Sequence, residues 1–412
     1  MQAENNKNNI QTITFGCRLN AVESEKIAKM LCDVIPRAIV VNTCAVTGEA
    51  ERQSAQYVRR VARENPNIPM FITGCAATHD ANPFTKIPNV RVIDNADKLN
   101  VDAYIRASRD FDFSSSDNEI HVSNPDKHMS KQFVQIQNGC NHDCTYCITR
   151  ILRGPAVSNE YDAILNDVRN AVQNGYYEIV LTGVDSASYV KIYDGKPFLI
   201  SDLCRKLLND VPEIRRLRLS SMDPASPEIY KIIDLIHENP RMMPHLHLSM
   251  QSGSDTILKS MRRRHNADMI RKIVAYATGI TFSWDIICGF PGETDELFDE
   301  TMNLVAETHP IKIHAFPFSP RPGTPAATMP NQVAKTTSKQ RVKAITDAAT
   351  HNRKVFMNTH LGQKPSVLVE ENNTGRTPHD ISVKIFGDNI PERTICDCKI
   401  IGIDGDSFVV SI

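Results

Sequence analysis

The stretch FVQIQNGCNHDCTYC, residues 133–147, decides the fold of this chain, because it joins an apolar strand candidate to three closely spaced cysteines. Cys140, Cys144 and Cys147 form a C-x3-C-x2-C run directly after that strand. Three thiolates this close together can hold three irons of a cubane iron–sulfur cluster, in which each iron normally has one thiolate ligand. The run lacks a fourth cysteine, and an open coordination position is typical of a catalytic rather than a structural metal site.

A zinc site is the alternative for this run of cysteines. Structural zinc sites are closed by four ligands. His142 is the nearest further donor, but it lies inside the loop, where it is poorly placed to bind the same metal as its neighbours. We therefore expect an iron–sulfur cluster and keep zinc as the alternative.

The composition is that of a soluble globular protein with several domains. The chain has 412 residues, of which 41% are apolar and 23% are charged, and its formal net charge is −1. These values exclude a mostly disordered chain and a disulfide-stapled miniprotein. They also exclude a global field that attracts nucleic acid, so any contact with RNA must be local.

Neither a targeting segment nor a membrane span is predicted. Residues 1–10 contain no apolar signal region, and no stretch approaches the roughly 18 apolar residues of a membrane span. The number of cysteines is odd, 11 in all. Without a secretory signal, this argues against a disulfide framework and for metal or catalytic use in a reducing compartment. We expect a cytoplasmic protein.

The first hundred residues repeat one pattern three times, an apolar strand candidate that ends in a cysteine and is followed by a helical stretch. The strand candidates are TITFGC (12–17), AIVVNTC (38–44) and MFITGC (70–75), which end at Cys17, Cys44 and Cys75. This alternation predicts a Rossmann-like parallel sheet, whose strand carboxyl ends line one edge. The three cysteines can therefore meet in space; the alternative is three unrelated small residues at strand ends.

A second α/β pattern begins at residue 133 and lasts about 200 residues. Its six strand candidates are residues 133–140, 177–184, 216–221, 245–253, 282–290 and 311–318. Six βα units without a break favour a partial, open (β/α)6 TIM-like barrel over a single Rossmann sheet. In such a barrel the chemistry belongs at the carboxyl ends of the strands.

The last fifty residues are predicted to form a small antiparallel β-barrel. Four short strand candidates, PSVLVEE, ISVKIFG, CKIIGI and SFVVSI, are separated by turn signals, and Asp404-Gly405 is a hairpin signal. A helix that runs to about His360, with Gly362 as its stop, precedes them.

Residues 140–147 resemble the signature of the radical S-adenosylmethionine (SAM) enzymes, in which this cysteine spacing follows the first barrel strand. The resemblance implies that the open iron binds the amino and carboxylate groups of SAM. It also implies that an electron from the cluster cleaves SAM to a deoxyadenosyl radical. Such a radical can attack an unactivated C–H bond, which acid–base side chains cannot do.

Together with the strand-end cysteines, this loop is similar to the methylthiotransferases. The similarity covers residues 11–360 and includes NGCNHDCTYC, RLSSMDP, HLHLSMQSGSD and DIICGFPGET. It implies a second cluster on Cys17, Cys44 and Cys75, and hence two [4Fe–4S] clusters and SAM as cofactors. It further implies that the second cluster holds the sulfur that becomes a methylthio group, that one SAM methylates this sulfur and that another supplies the radical.

The resemblance also implies a domain organisation. The final module is similar to the TRAM domain, a small RNA-binding β-barrel. The expected segments are an N-terminal methylthiotransferase domain (1–105), a linker (106–132), a radical SAM core (133–350) and a TRAM-like domain (351–412).

Within the family, NTCAVTGEAERQS (42–54) and LTGV (181–184) resemble the branch that acts on N6-threonylcarbamoyladenosine in tRNA. Val184 stands where the isopentenyladenosine branch usually has glutamine. The resemblance implies insertion of a methylthio group at C2 of the adenosine at position 37. The same chemistry on isopentenyladenosine in tRNA, or on an aspartate of a ribosomal protein, is the enzymatic alternative. A metal-stabilised RNA-binding protein is the non-enzymatic one.

Six further residues are candidates for contacts with SAM. Tyr146 precedes the last cysteine of the loop, where related enzymes place a residue against the adenine, and Gly183 can make room for the amino and carboxylate end. The others lie at or after strand ends of the core: Ser220, Ser221, Gln251 and Gly289. For each of them the alternative is ordinary packing. No catalytic residue is predicted beyond the cluster ligands.

Local basic residues are the candidates for contacts with RNA. Arg150 and Arg153 follow the cysteine loop, and Arg262 and Arg263 belong to an arginine run. Such side chains can neutralise phosphates without a global positive charge. The expected partners are a tRNA substrate and an electron donor, either a reductase or a flavodoxin or ferredoxin. We expect no membrane contact and a monomer.

Overall fold

The computed structural model describes residues 9–113, 120 and 129–412, so part of the predicted linker 106–132 lies outside the described residues. The chain divides into two compact units. The first comprises the described residues before Met129 together with 139–141 and 147–155, and the second comprises 129–138, 142–146 and 156–412. Among the described helices, none combines the length and apolar character needed to cross a membrane.

The first unit contains one sheet and short connecting helices. Its strands are β1 (Ile10–Thr14), β2 (Ala38–Thr43), β3 (Met70–Gly74) and β4 (Val90–Val92). Its helices are α1 (Arg18–Leu31), α2 (Gly48–Glu64), α3 (Cys75–His79), α4 (Asn82–Thr85), α5 (Val101–Ser108) and α6 (Thr149–Arg153).

The sheet of the first unit is parallel throughout, in the order β1-β2-β3-β4. Every residue of β2 and β3 is buried, which explains why both read as continuous apolar runs. The predicted parallel sheet is confirmed. Its order follows the chain without the reversal that defines the Rossmann arrangement, so the carboxyl ends of β1, β2 and β3 are direct neighbours.

The second unit begins with an α/β region. Its strands are β5 (Gln132–Gln135), β6 (Gln137–Asn138), β7 (Val157–Ser158), β8 (Glu178–Thr182), β9 (Val190–Tyr193), β10 (Lys196–Leu199), β11 (Arg216–Leu219), β12 (Ser221–Met222), β13 (His245–Gln251), β14 (Thr281–Cys288) and β15 (Lys312–Pro317). Its helices are α7 (Tyr161–Gln173), α8 (Ile200–Asp210), α9 (Glu228–Glu238), α10 (Asp255–Ser260), α11 (Ala267–Tyr276), α12 (Asp295–Thr308) and α13 (Lys335–Asn358).

All six predicted strands of this region are present and pair in parallel. One sheet has the order β11-β8-β5 and the next has the order β12-β13-β14-β15, so the strands follow one another as they do in the chain. Ser220 separates β11 from β12. A large apolar core between these strands and their helices surrounds Trp284, whose side chain is fully buried.

The last strands form a separate sheet within the second unit. They are β16 (Ser366–Glu370), β17 (Thr374–Arg376), β18 (Ser382–Phe386), β19 (Ile395–Asp397), β20 (Lys399–Asp404) and β21 (Ser407–Ser411). Four of the five pairings are antiparallel, and β18 pairs with β21 in parallel. The prediction of a fully antiparallel module is wrong at that pairing, because the β20–β21 hairpin places β21 beside β18 in the same direction.

The last sheet is anchored at the amino ends of β8 and β11. Arg216, the first residue of β11, donates to the carbonyls of Ser366 (2.7 Å) and Arg376 (3.1 Å). Arg218 donates to the carbonyls of Thr377 and Pro378 at 2.9 and 2.8 Å. Both guanidiniums are also paired with buried Glu178, so the anchor is a charged and almost completely buried network.

Helix α13 crosses the predicted boundary between residues 350 and 351. Ile345 and Ala349 belong to the core of the α/β region, whereas Met357 belongs to the core of the last sheet. One continuous helix thus contributes to both cores, and the boundary at residue 350 stays a prediction.

Three shielded histidines predict how the stability of the second unit depends on pH. Burial lowers the pKa of His245 to about 3 and those of His265 and His379 to about 4, whereas unfolded histidine titrates near pH 6.5. Between about pH 4 and 6.5 the unfolded chain therefore binds more protons than the folded chain. The free energy of unfolding should rise with pH across this window and fall on acidification.

The single tryptophan, Trp284, reports on this unit in urea denaturation followed by fluorescence. The free energy of unfolding should be lower at pH 5 than at pH 7, and His245→Asn should reduce that difference. An equal difference in the wild type and the variant would contradict the assignment.

Candidate metal centres

The first centre lies at the carboxyl ends of three neighbouring strands. Cys44 directly follows β2, and Cys75 directly follows β3 as the first residue of α3. Cys17 follows β1 at a distance of three residues and precedes α1. Cys44 and Cys75 are buried and Cys17 is exposed. The structure therefore places each of the three predicted ligands at the end of its own strand.

Two glycines allow these strand ends to approach one another. Gly16 has a φ of +94°, and a Cβ atom on it would lie 2.5 Å from both Cβ and Sγ of Cys44. Gly74 has a φ of +91°, and a Cβ atom there would lie 2.6 Å from the Thr43 nitrogen. Both the backbone angle and the space exclude a side chain. The glycine that precedes each of these cysteines, after β1 and at the end of β3, is therefore required because the residues at the end of β2 leave no room for a side chain.

The three thiols influence one another electrostatically. Burial raises the pKa of Cys44 to about 11, and the neighbouring thiols of Cys17 and Cys75 contribute to this rise. Three sulfurs at one sheet edge fit the donor set of a cluster with one iron free of protein ligands.

A buried group of charges lies beside this centre. Glu23, on α1, is fully buried and pairs with Lys98 and with Arg153, whose Nη1 lies 2.8 Å from its Oε1. Burial alone would raise the pKa of Glu23, but the two cations outweigh it and the net effect is a lowered pKa. Lys98 also donates to Asn95 at 2.8 Å. The group thus sets one carboxylate against two basic side chains, and burial lowers the pKa of one of them, Lys98.

Arg153 belongs to this buried group and does not face RNA. Only 2% of its side chain is exposed, and its Nη2 donates to Asn20 Oδ1 at 2.6 Å. The same Asn20 oxygen accepts a long contact from Cys17 Sγ at 3.8 Å. Burial disfavours the charge on Arg153, but Glu23, Cys75 and Cys17 raise its pKa overall. The prediction of an RNA contact at Arg153 is therefore wrong, because the guanidinium is enclosed between Glu23 and the cysteine site.

The segments on either side of the cysteine loop fold with the first unit. Ile148 and Leu152 pack with Ala45, Cys75 and Ala76 in one apolar cluster. A side-chain bond from Asn95 Nδ2 to the Leu152 carbonyl, 2.9 Å long, holds α6 in place. Cys140 N donates to the Gly154 carbonyl at 3.1 Å, so the two segments are also bonded to each other.

In the second unit, Cys144 accepts a hydrogen bond from a buried arginine. Arg263 Nη1 lies 3.6 Å from Cys144 Sγ. Its Nη2 donates to Asp223 Oδ1 at 3.0 Å and to the Ser249 carbonyl at 2.7 Å. The side chain is 7% exposed. The prediction that Arg263 contacts RNA is wrong, because this guanidinium is used inside the protein at one of the predicted cluster ligands.

Two carboxylates that the sequence argument missed hold the neighbouring loop. His142 Nε2 lies 2.7 Å from Asp185 Oδ2 and 3.5 Å from Asp223 Oδ2. Arg264 donates to Asp223 Oδ2 at 2.7 Å. Burial would raise the pKa of Asp223, but Arg263 and Arg264 lower it overall. An acid just beyond the end of a parallel strand, as in LTGVD and SSMDP, was the available signal.

The remaining two arginines of the RNA prediction are on the surface. Arg150 is exposed on α6. Arg262 is 56% exposed and pairs with Asp143 of the loop. Both stay candidates for contacts with RNA.

Three of the six predicted SAM contacts, Ser220, Ser221 and Gln251, lie at or beside strand ends of the second unit, and Tyr146 lies in the cysteine loop. Ser220 bonds Ser186 at 3.0 Å, and Ser221 bonds Ser249. Gln251 ends β13 with a φ of +71°, where the pairing with β14 shifts register. Tyr146 packs against an apolar cluster of Ile257, Met261, Phe290 and Ala326. The serines are thus satisfied by protein groups, and the contacts of all four with SAM stay predictions.

The two glycines of that prediction are accounted for by packing. A Cβ atom on Gly183 would lie 2.8 Å from Gln137 Oε1. On Gly289 it would lie 2.7 Å from Ser338 Cβ of α13, and the Gly289 nitrogen donates to Glu293 Oε2 at 2.6 Å. Both glycines are therefore closely packed against protein atoms, and their contacts with SAM stay predictions.

Two family models match the chain. The Radical SAM superfamily matches residues 134–305, and a family described as Uncharacterized protein family UPF0004 matches residues 9–93. The first match begins within β5, includes the loop and ends within α12, and the second covers all four strands of the parallel sheet with the three strand-end cysteines.

Several curated relatives cover almost the whole chain. The threonylcarbamoyladenosine tRNA methylthiotransferase MtaB of Rickettsia prowazekii (strain Madrid E) is 37% identical, with 92% of each chain covered. The protein of the same name from Bacillus subtilis (strain 168) is 30% identical, with 87% of this chain and 84% of the relative covered. The tRNA-2-methylthio-N(6)-dimethylallyladenosine synthase of Mannheimia succiniciproducens is 31% identical, covering 96% and 90%.

Solved structures of radical SAM proteins share the fold. The radical S-adenosylmethionine methyltransferase TsrM from Kitasatospora setae aligns with a TM-score of 0.52 at 12% identity, covering 75% of this chain and 70% of that one. The cobalamin-dependent S-adenosylmethionine radical enzyme OxsB aligns with a TM-score of 0.51 at 10% identity, covering 85% and 56%. At these identities the likeness concerns the fold alone.

The buried charge group of the first unit predicts a large effect of Arg153→Met on stability. Removing one partner of a buried ion pair typically costs about 3–5 kcal/mol, and we expect about 3 kcal/mol here because Lys98 stays beside Glu23. Urea denaturation followed by circular dichroism measures the loss. Arg52→Met is the matched control, since the Arg52–Glu49 pair is 65% and 56% exposed and should contribute little. Equal losses in both variants would contradict the assignment.

Proposed function

Because the chain belongs to the radical SAM methylthiotransferases, we propose that it converts N6-threonylcarbamoyladenosine at position 37 of tRNA to its 2-methylthio derivative. The observation that carries this proposal is the 37% identity, over 92% of both chains, to a relative named for that activity. Three further relatives of the same name are 30 to 31% identical.

The proposed active centre uses six cysteines. Cys140, Cys144 and Cys147 would hold the [4Fe–4S] cluster that radical SAM proteins share, and Cys17, Cys44 and Cys75 would hold a second one. When bound, the two clusters and SAM supply a one-electron route to a carbon-centred radical and a sulfur atom for transfer. The structure supports the second site through its three strand-end thiols, which are brought close by Gly16 and Gly74.

The protein's own part is to hold these ligands and balance their charge. Arg153 places a permanent positive charge beside Cys17 and Cys75, and Glu23 fixes its position. In the second unit, Arg263 donates to Cys144, while Asp223 fixes that arginine. Two buried carboxylates thus orient two buried cations toward the proposed cluster ligands.

Six sequentially ordered parallel strands support a partial (β/α)6 barrel, with the reaction at the carboxyl ends of the strands. The last sheet is proposed as a TRAM-like RNA-binding module, and Arg150 and Arg262 as phosphate contacts. A cytoplasmic location, a monomeric state and reduction by a reductase, a flavodoxin or a ferredoxin complete the proposal.

Isopentenyladenosine is the second candidate substrate, because relatives named tRNA-2-methylthio-N(6)-dimethylallyladenosine synthase reach 29 to 33% identity. The chemistry and the cysteines would be the same. Only the recognition of the group on N6 would differ.

Nucleoside mass spectrometry of tRNA from a strain lacking this protein separates the two substrates. We expect the 2-methylthio derivative of N6-threonylcarbamoyladenosine to disappear and its unmethylthiolated precursor to accumulate. The wild-type chain should restore the product and Cys144→Ala should not. Loss of the methylthiolated isopentenyl nucleoside instead would overturn the substrate assignment.

The second cluster is tested by Gly16→Ala. A methyl group at residue 16 displaces the Cys44 sulfur, which it would otherwise approach to 2.5 Å. Two [4Fe–4S] clusters correspond to about eight irons per chain, so this variant should retain about four after anaerobic reconstitution. Gly175→Ala is the matched control, because it has a similar φ of +79° and open space around the added methyl group.

The control should reconstitute like the wild type. Full iron content in Gly16→Ala, or an equal loss in both variants, would contradict a cluster that depends on the approach of Gly16 to Cys44.

A further inference from the structure

Three consecutive arginines follow α10, and only the middle one is buried. The side chains of Arg262 and Arg264 are 56% and 54% exposed, whereas that of Arg263 is 7% exposed. Arg262 has a left-handed backbone conformation, with a φ of +57°. Arg263 is thereby directed inward and its two neighbours outward.

Arg263 is held from one side and donates to sulfur on the other. Its Nη2 is shared by Asp223 Oδ1 at 3.0 Å and the Ser249 carbonyl at 2.7 Å. Its Nη1 points to Cys144 Sγ at 3.6 Å. The Nε atom is buried and has no hydrogen-bond partner within the described part of the chain. A planar, rigid guanidinium suits this arrangement because one edge can be anchored while another N–H faces the thiolate.

We propose that Arg263 is a positioning residue that raises the reduction potential of the cluster bound by Cys144. Hydrogen bonds to cluster sulfurs and the charge around them are two of the factors that set such potentials. Adding an electron makes the cluster more negative. A fixed positive charge in a poorly solvated place therefore stabilises the reduced state more than the oxidised state.

The network around Arg263 keeps this effect in place. Asp223 accepts from both Arg263 and Arg264, so one carboxylate faces two guanidiniums and the local charge stays positive. Two histidines also face that carboxylate. His142 Nε2 lies 3.5 Å from Asp223 Oδ2, and His265, whose pKa burial lowers to about 4, has its Nδ1 3.9 Å from Asp223 Oδ1. An imidazole carries no negative charge in either protonation state, so neither histidine cancels the charge of the guanidinium.

The test measures a potential and not product formation. Cys17, Cys44 and Cys75 are replaced by alanine in every arm, so only one cluster is reconstituted and the result does not depend on the second cluster or on the tRNA substrate. The cluster is then titrated with dithionite and followed by electron paramagnetic resonance. In this background, the protein with Arg263 intact is compared with Arg263→Lys, with Arg263→Gln and with the neighbouring control Arg262→Gln.

At the midpoint potential of the Arg263 form, we expect Arg263→Gln to show about a tenfold lower ratio of reduced to oxidised cluster, which corresponds to about 59 mV for one electron. Arg263→Lys keeps the charge but loses the fixed fork, so its ratio should fall less. Arg262→Gln should be unchanged, because that side chain faces solvent and pairs with Asp143.

Iron content per chain separates a tuning role from a folding role. Arg263→Gln leaves Asp223 without its buried partner, so Asp223→Asn/Arg263→Gln is included as a variant without an isolated buried charge. Either glutamine variant that binds a full cluster at a lowered potential supports the proposal. An unchanged midpoint in a glutamine variant of Arg263 that has full iron content overturns it, as does an equal shift in Arg262→Gln. Loss of the cluster from both glutamine variants and from Arg263→Lys also overturns it, because Arg263 would then be needed to build the site.

Discussion

A thiolate that is partly or fully buried requires a positive charge nearby, and each unit places a buried arginine beside predicted cluster ligands. Moving a charge out of water costs several kcal/mol unless an opposite charge or hydrogen bonds compensate for it. Arg153 lies close enough to Cys17 and Cys75 to be influenced by both thiols, and Arg263 donates to Cys144. An arginine keeps its charge at any physiological pH, so this compensation does not depend on titration.

Each arginine needs a counter-charge of its own, and this need fixes much of the surrounding structure. Glu23 of α1 holds Arg153, and Asp223 after β12 holds Arg263. Because both carboxylates are themselves buried, every member of the two networks depends on its partners. The networks therefore connect helices, strand ends and the cysteine loop segments within their units more specifically than apolar packing alone would.

Local patterns were sufficient to predict where the cysteines lie, because a strand followed by Gly-Cys or Thr-Cys is written in a few adjacent residues. The burial of the arginines was not predictable in this way. Arg153 meets Glu23 across 130 residues of chain, and Arg263 meets Cys144 across 119. An arginine beside a reactive loop looks like a phosphate ligand until its distant partner is known. The parallel pairing of β18 with β21 was missed for the same reason, since hairpin signals specify neighbours in sequence only.

The inward orientation of Arg153 and Arg263 changes how this chain can recognise RNA. Of the four arginines considered, only Arg150 and Arg262 are exposed. Each phosphate contact adds about 0.7 to 0.9 to the steepness of log affinity against log salt, so these two contacts account for only about 1.4 to 1.8. A nearly neutral chain with such a small contribution from arginines next to the loop must obtain further affinity elsewhere. Helix α2 presents a second exposed basic surface through Arg59, Arg60 and Arg63. Recognition spread over separate surfaces of this kind depends on the shape of the RNA as much as on charge, which suits an enzyme that must find one nucleoside in a folded tRNA.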